Sequence, residues 1–350
     1  MGFNSSPHFI IYKPLLRLRY LWCTASTRDW PARTCFCHAC RMWTSRTYTR
    51  GRLDLPQGRL FERRSRTQKR TLDRVYFKML WLTFLNWIII LILITPAVVN
   101  YWRGTWYFLD LFVFPNDEVL SAWLTVTASF GTIFLIMLVE DYIKEFLDKR
   151  KARKGLYLVL FYPLAFLSVT SWRGLWMMLD LYTTTALSSA IVSHLVGFLI
   201  VLALKTTYSV IAIPGYCISE RYIDPPEKIL QVKKYFRTKT SARFLNTFVT
   251  VFMIGIAVIS YWRGTWLIIV AAVQPLNDKL VSSSALVILS YSVLSLCYFL
   301  STCLSTVNMN PPYSLLSRSL EQLFVYILGF GVVASWVGIW HLMDIYLLPG

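Results

Sequence analysis

Seven long apolar stretches dominate the sequence, near residues 77–99, 119–139, 155–170, 185–204, 245–260, 281–306 and 320–334. Crossing the roughly 30 Å of hydrocarbon in a bilayer takes about 20 apolar residues in a helix. The third and seventh stretches reach that length only with part of the aromatic segment that follows each of them. A water-soluble helical protein would need a polar face on every such segment, and these have almost none. Strands of a membrane barrel would instead alternate polar and apolar residues over about ten positions. The expected fold is therefore an all-α polytopic helical membrane protein of seven spans. Composition agrees, since 56% of the 350 residues are hydrophobic and only 15% are charged, despite a net charge of +18. A disordered basic chain would be poor in Leu, Ile, Val and Phe.

Of the 36 Lys and Arg, 32 fall at or before Lys78, in residues 140–154 and 205–243, or at Arg318; the other four are Arg103, Arg173, Arg263 and Lys279. Short loops rich in Lys and Arg stay in the cytoplasm. This places the N-terminus inside and the odd-to-even connections outside. Residues 1–75 read as a basic, disordered cytoplasmic segment and 76–350 as the bundle, with halves 76–204 and 245–350 joined by a linker at 205–244. Lys13, Arg17, Arg19 and Arg28 interrupt any signal-peptide core, so the first stretch itself starts insertion.

Each odd-numbered stretch runs into a recurring motif: YWRGTWYFLD at 101–110, SWRGLWMMLD at 171–180, YWRGTWLIIV at 261–270 and SWVGIWHLMD at 335–344. Copies one and three share YWRGTW. Copies two and four share the opening serine and a pattern ending at Tyr182 and Tyr346. This A-B-A-B order implies a duplicated four-span unit whose halves insert the same way up. Span, motif, return span is the rule of each repeat, and on it the fourth copy would be followed by an eighth helix.

Two readings of the motif follow. Trp102 and Trp106, Trp172 and Trp176, Trp262 and Trp266, and Trp336 and Trp340 are each four residues apart, hence on one helical face, and suit anchoring at headgroup depth. Alternatively, the charges form a polar ring between repeats near the outer surface. Arg103 is followed seven residues later by Asp110, and Arg173 by Asp180; copy three keeps Arg263 but has Val270, and copy four has Val337 but keeps Asp344. That distribution predicts Arg263 facing Asp344.

Asn86 and His194 are the polar groups expected deepest in the membrane, where such groups are functional candidates. Ser189, Ser193 and Gly197 beside His194 form a small-residue ladder that lets helices approach closely. Ser290, Ser292, Ser295 and Ser301 suit helix packing or the wall of a polar path. Metalloprotease, P-loop and hydrolase motifs are absent, so no catalytic residue and no cofactor are expected. Cys35, Cys37, His38 and Cys40 lack the paired spacing of a zinc site, and no metal is expected. The basic run at 62–70 is expected to meet anionic inner-leaflet lipid rather than nucleic acid.

The repeated YWRGTW and SWRGLW motifs, each closing an odd-numbered span, together with the basic N-terminus, resemble the Fuseless family of invertebrate membrane proteins over about residues 72–350. The resemblance implies an eight-pass protein of the presynaptic plasma membrane that localises voltage-gated calcium channels at active zones and supports synaptic transmission. It implies no catalytic residue. The alternative from the residues themselves is a solute or lipid transporter with pseudo-symmetric halves, which would need a polar pocket at the membrane midplane.

Overall fold

The computed structural model describes residues 77–78, 81–139, 142–143, 153–212, 240–273, 278–304 and 315–347. The basic N-terminal segment with its cysteines and most of the loops at 140–154 and 205–243 lie outside the described residues. Regular structure is all helical among the described residues. The chain divides into two units, Met1–Ile88 with Cys303–Asn308, and Ile89–Thr302 with Met309–Gly350. In the first, the described helix around Asn86 leaves that side chain exposed. The second unit holds everything that follows.

Its helices are α1 (Thr95–Phe112), α2 (Glu118–Leu138), α3 (Arg153–Thr183), α4 (Leu187–Ala203), α5 (Thr240–Phe248), α6 (Gly255–Val273), α7 (Lys279–Leu304, its last two residues falling in the first unit) and α8 (Leu315–Tyr346). Among the described residues five helical segments are long and apolar enough to cross a membrane: Trp81–Phe112, Glu118–Leu138, Ala242–Val273, Lys279–Leu300 and Ser319–Tyr346. The third expected span lies in α3, which is 31 residues long and whose side chains over 153–161 lie outside the described residues. The fourth is α4, apolar but only 17 residues long, short of the roughly 20 that a perpendicular crossing takes.

The turns explain the hairpins. Asp117 caps α2 by accepting the Leu120 amide at 2.9 Å, and Asp278 accepts the Leu280 amide at 2.8 Å ahead of α7. Phe114 and Thr184 close the α1–α2 and α3–α4 turns with φ of 50° and 64°, a left-handed conformation that β-branched Thr184 rarely adopts. Five- and six-residue π-helical stretches, Ile90–Ile94 and Val249–Ile254, precede α1 and α6. Each ends eight residues before the first Trp of its motif.

α1, α3, α6 and α8 carry the motifs and meet around a common axis. The shorter-connected helices pack outside them, and the motif glycine is the contact. A Cβ on Gly174 of α3 would stand 2.5 Å from Thr125 Oγ1 and 2.7 Å from the Val126 amide nitrogen of α2. On Gly264 of α6 it would meet the backbone of Ala190 and His194 in α4, and on Gly338 of α8 the Ser283 carbonyl of α7 at 3.0 Å. Gly197 of α4 answers with its own close approach, where a Cβ would stand 2.5 Å from the Ala257 carbonyl oxygen and the Tyr261 nitrogen of α6. Small residues at such crossings let backbones touch where lipid supplies no hydrophobic drive. Gly104 of α1 is the exception, where a Cβ would meet nothing within 4 Å among the described residues.

Candidate functional site

The helices run straight through the motifs, so the motif is the last turns of each inner helix rather than a segment beyond it. This corrects the anchoring reading: the tryptophans turn toward one another, not outward. Helical spacing of four places both rings of a copy on the axis-facing side, one turn apart. Four copies therefore build two stacked tiers. In the deeper tier Trp102, Trp172, Trp262 and Trp336 contact in cyclic order, with ring centroids 5.4, 5.3, 5.2 and 5.6 Å apart. In the tier nearer the motif ends, Trp106, Trp176, Trp266 and Trp340 do the same at 5.8, 5.8, 5.6 and 6.0 Å. All eight contacts are edge to face, with interplanar angles between 79° and 89°. That geometry sets the positive rim of one ring against the negative face of the next and is worth about 0.5–1.5 kcal/mol per pair beyond burial. Trp262 is held further by its indole N–H donating to the Val210 carbonyl at 2.9 Å.

Between neighbouring helices run the ion pairs. Arg173 Nε donates to Asp110 Oδ1 at 2.6 Å, Arg263 Nε to Asp180 Oδ1 at 2.7 Å, and Arg103 Nε to Asp344 Oδ1 at 2.6 Å. The arginine of each copy therefore holds the aspartate of the preceding one, and the first copy holds the last. The expected pairing of Arg263 with Asp344 is incorrect. Motif helices follow one another around the axis, so Asp180 on α3 is the neighbour of α6, whereas Asp344 on α8 stands beside α1. The three guanidiniums are almost wholly buried, while the carboxylates are 32–40% exposed.

A buried guanidinium needs its remaining N–H groups satisfied. Arg173 donates twice to Ser121 Oγ of α2 at 3.1 Å. Arg263 donates to Ser193 Oγ of α4 at 2.9 Å and to the carbonyl of strained Thr184 at 2.6 Å. Arg103 stacks 4.8 Å from the Tyr107 ring centre, and Tyr107 donates its hydroxyl to Asp344 Oδ1 at 3.0 Å. Arg103 Nη2 remains buried without a hydrogen bond among the described residues, on the same helix whose Gly104 has no covering neighbour.

The fourth joint, between α6 and α8, holds Val270 and Val337 where the other three hold Asp and Arg. Both losses fall on one joint, which leaves no orphaned charge. Val337 is fully buried, and Ser283 of the covering α7 has a buried hydroxyl with no hydrogen-bond partner among the described residues.

His194 is buried, with Nδ1 2.8 Å from Thr265 Oγ1 and Nε2 2.9 Å from the Tyr326 hydroxyl. It ties α4 to α6 and α8. Ser290 and Ser292 bond carbonyls of their own helix, at Val287 and Ile288. A cavity of about 290 Å³ lies in the cage itself, lined by the eight tryptophans with Tyr107, His341 and Asp344, and His194, Ser290 and Ser292 are not among its lining residues. His341 packs edge-on to Trp266, centroids 6.4 Å apart. Tyr107, Ser121, Thr184 and His341 are not among the site residues expected from the sequence; the two missing charges, assigned to a single joint, carry the signal that fixes the order of pairing.

No curated protein and no solved structure matches the chain. The sequence model of the Fuseless family matches residues 81–350, the part that holds every motif helix and both tryptophan tiers, and the chain belongs to that family.

Proposed function

We propose that this protein is a seven-span membrane organiser of the presynaptic plasma membrane, with a cytoplasmic N-terminus, that localises voltage-gated calcium channels at active zones and so supports transmitter release. Membership of the Fuseless family supports this reading. The observation that carries it over the transporter alternative is the state of His194, whose two ring nitrogens are both engaged in side-chain contacts linking the first half of the chain to the second. A transporter would keep such a group at a midplane pocket between halves. Here it lies in a packed aromatic cluster with Tyr261, Phe198 and Tyr326. The role is non-catalytic. Channel subunits engage the exposed apolar helix faces and the loops at 140–154 and 205–243, and the basic N-terminal segment rests on anionic inner-leaflet lipid.

The test is proximity labelling from those two loops in neurons, with flux assays on purified protein in vesicles. Enrichment of calcium-channel subunits and no solute flux is the expected result. Flux that His194→Ala abolishes, without channel enrichment, contradicts the proposal.

A further inference from the structure

We propose that the mouth of the tryptophan cage is a binding site for a quaternary ammonium group, either a free trimethylammonium compound or the head group of a choline lipid. This goes beyond the organising role and does not depend on it.

The argument begins with the walls. Eight indoles surround one cavity of about 290 Å³, near the lower end of the range for small-molecule sites and enough for a compact head group. Centroid separations of 5.6–6.0 Å around the Trp106–Trp176–Trp266–Trp340 tier put the axis about 4 Å from each ring centre, so a cation resting at the mouth above the tier stays within the roughly 6 Å reach of a cation–π contact. Tryptophan gives the strongest such contact of the aromatic side chains.

The charges select the sign. Three arginines stand close by, but they are 0–2% exposed and each is directed at an aspartate. The cavity wall contains Asp344 and no arginine. Asp344 Oδ1 receives both Arg103 and Tyr107, Oδ2 receives neither, and the side chain is 35% exposed. An anion entering here would meet indole and carboxylate.

Chemistry then narrows the cation. A divalent metal takes six or more oxygen ligands or several nitrogen or sulfur ligands, and no metal-holding group of His, Cys, Asp or Glu occurs among the described residues. A primary ammonium would need acceptors for three N–H donors, which eight indoles cannot supply and which the wall offers only at Asp344, Tyr107 and His341 on one side. A quaternary ammonium has no N–H to satisfy, is large and weakly hydrated, and presents methyl groups to aromatic faces, the use to which aromatic cages are put elsewhere.

The experiment uses the full chain in detergent and in nanodiscs, titrated with choline and with its uncharged isostere 3,3-dimethylbutan-1-ol, read by tryptophan fluorescence and calorimetry. Choline is expected to bind saturably and at least tenfold more tightly than the isostere. Trp340→Phe, which keeps an aromatic ring but weakens the cation–π contact, is expected to lower choline affinity several-fold. Choline binding that is weaker in phosphatidylcholine than in phosphatidylglycerol nanodiscs assigns the site to the lipid head group, and equal binding in both assigns it to the free compound. Equal affinity for choline and isostere, or no saturable binding to the unmodified protein in either nanodisc, overturns the proposal whether or not the variant folds.

Discussion

Gly264→Ala is expected to unfold or strongly destabilise the bundle, while Gly104→Ala leaves it unchanged or slightly more stable. Both glycines occupy the same place in WRGTW, and alanine is the better helix former by about 1 kcal/mol at either position. The difference lies in what the added methyl meets. At Gly264 it runs into the backbone of α4, with His194 Cα at 2.8 Å and two backbone atoms nearer still. Backbone cannot rotate aside as a side chain can, so α4 must shift. That shift would pull Ser193 from Arg263 and His194 from Thr265. Overpacking alone costs about 1–3 kcal/mol and occasionally more, and the lost hydrogen bonds to a buried charge add to it. At Gly104 nothing lies within 4 Å. Thermal unfolding of both variants in one detergent checks the contrast; similar loss at both sites would mean that the covering helix is not what constrains the glycine.

The second large effect concerns the joint that lacks charges. Val337→Arg alone places a guanidinium in a fully buried position at the joint where the aspartate position holds Val270, and an uncompensated buried charge costs about 3–5 kcal/mol. Val270→Asp added to it supplies the carboxylate that Asp110, Asp180 and Asp344 supply at the other joints, and the idle hydroxyl of Ser283 stands on the covering helix, as Ser121 and Ser193 do for Arg173 and Arg263. The double variant is expected to recover most of the loss, giving a coupling energy of about 2 kcal/mol or more in a double-mutant cycle. Additive destabilisation would show that the fourth joint does not share the geometry of the other three.

Much of this arrangement was readable from residue order. Apolar length gave the helices, and the four motif copies marked the helices that belong together, whereas the Asp117 and Asp278 caps emerged only from the structure. The direction of the motif was harder. Trp at a span end has two good homes, the headgroup layer and a packed interior, and spacing of four satisfies both. What separates them is that four such helices share an axis, a fact of tertiary contact that one helix does not contain. The same limit produced the mistaken Arg263–Asp344 pair. Seven residues between Arg and Asp told that both lie on one face, but cyclic order around the axis decides which neighbour each meets. Deep polar residues divided similarly. His194 sits beside a small-residue ladder and proves to be part of the α4–α6 contact, whereas Asn86, with only apolar neighbours in sequence, is exposed on its helix.

Charge reversal tests the cyclic order most directly. Arg263→Asp is expected to abolish stable folding, since it sets two carboxylates together at a buried site. Combining it with Asp180→Arg should restore a folded protein, whereas combining it with Asp344→Arg should not, because Asp344 belongs to Arg103. Folded yield by size-exclusion chromatography reads all three. Rescue by Asp344→Arg, or none by Asp180→Arg, would contradict the ring as described.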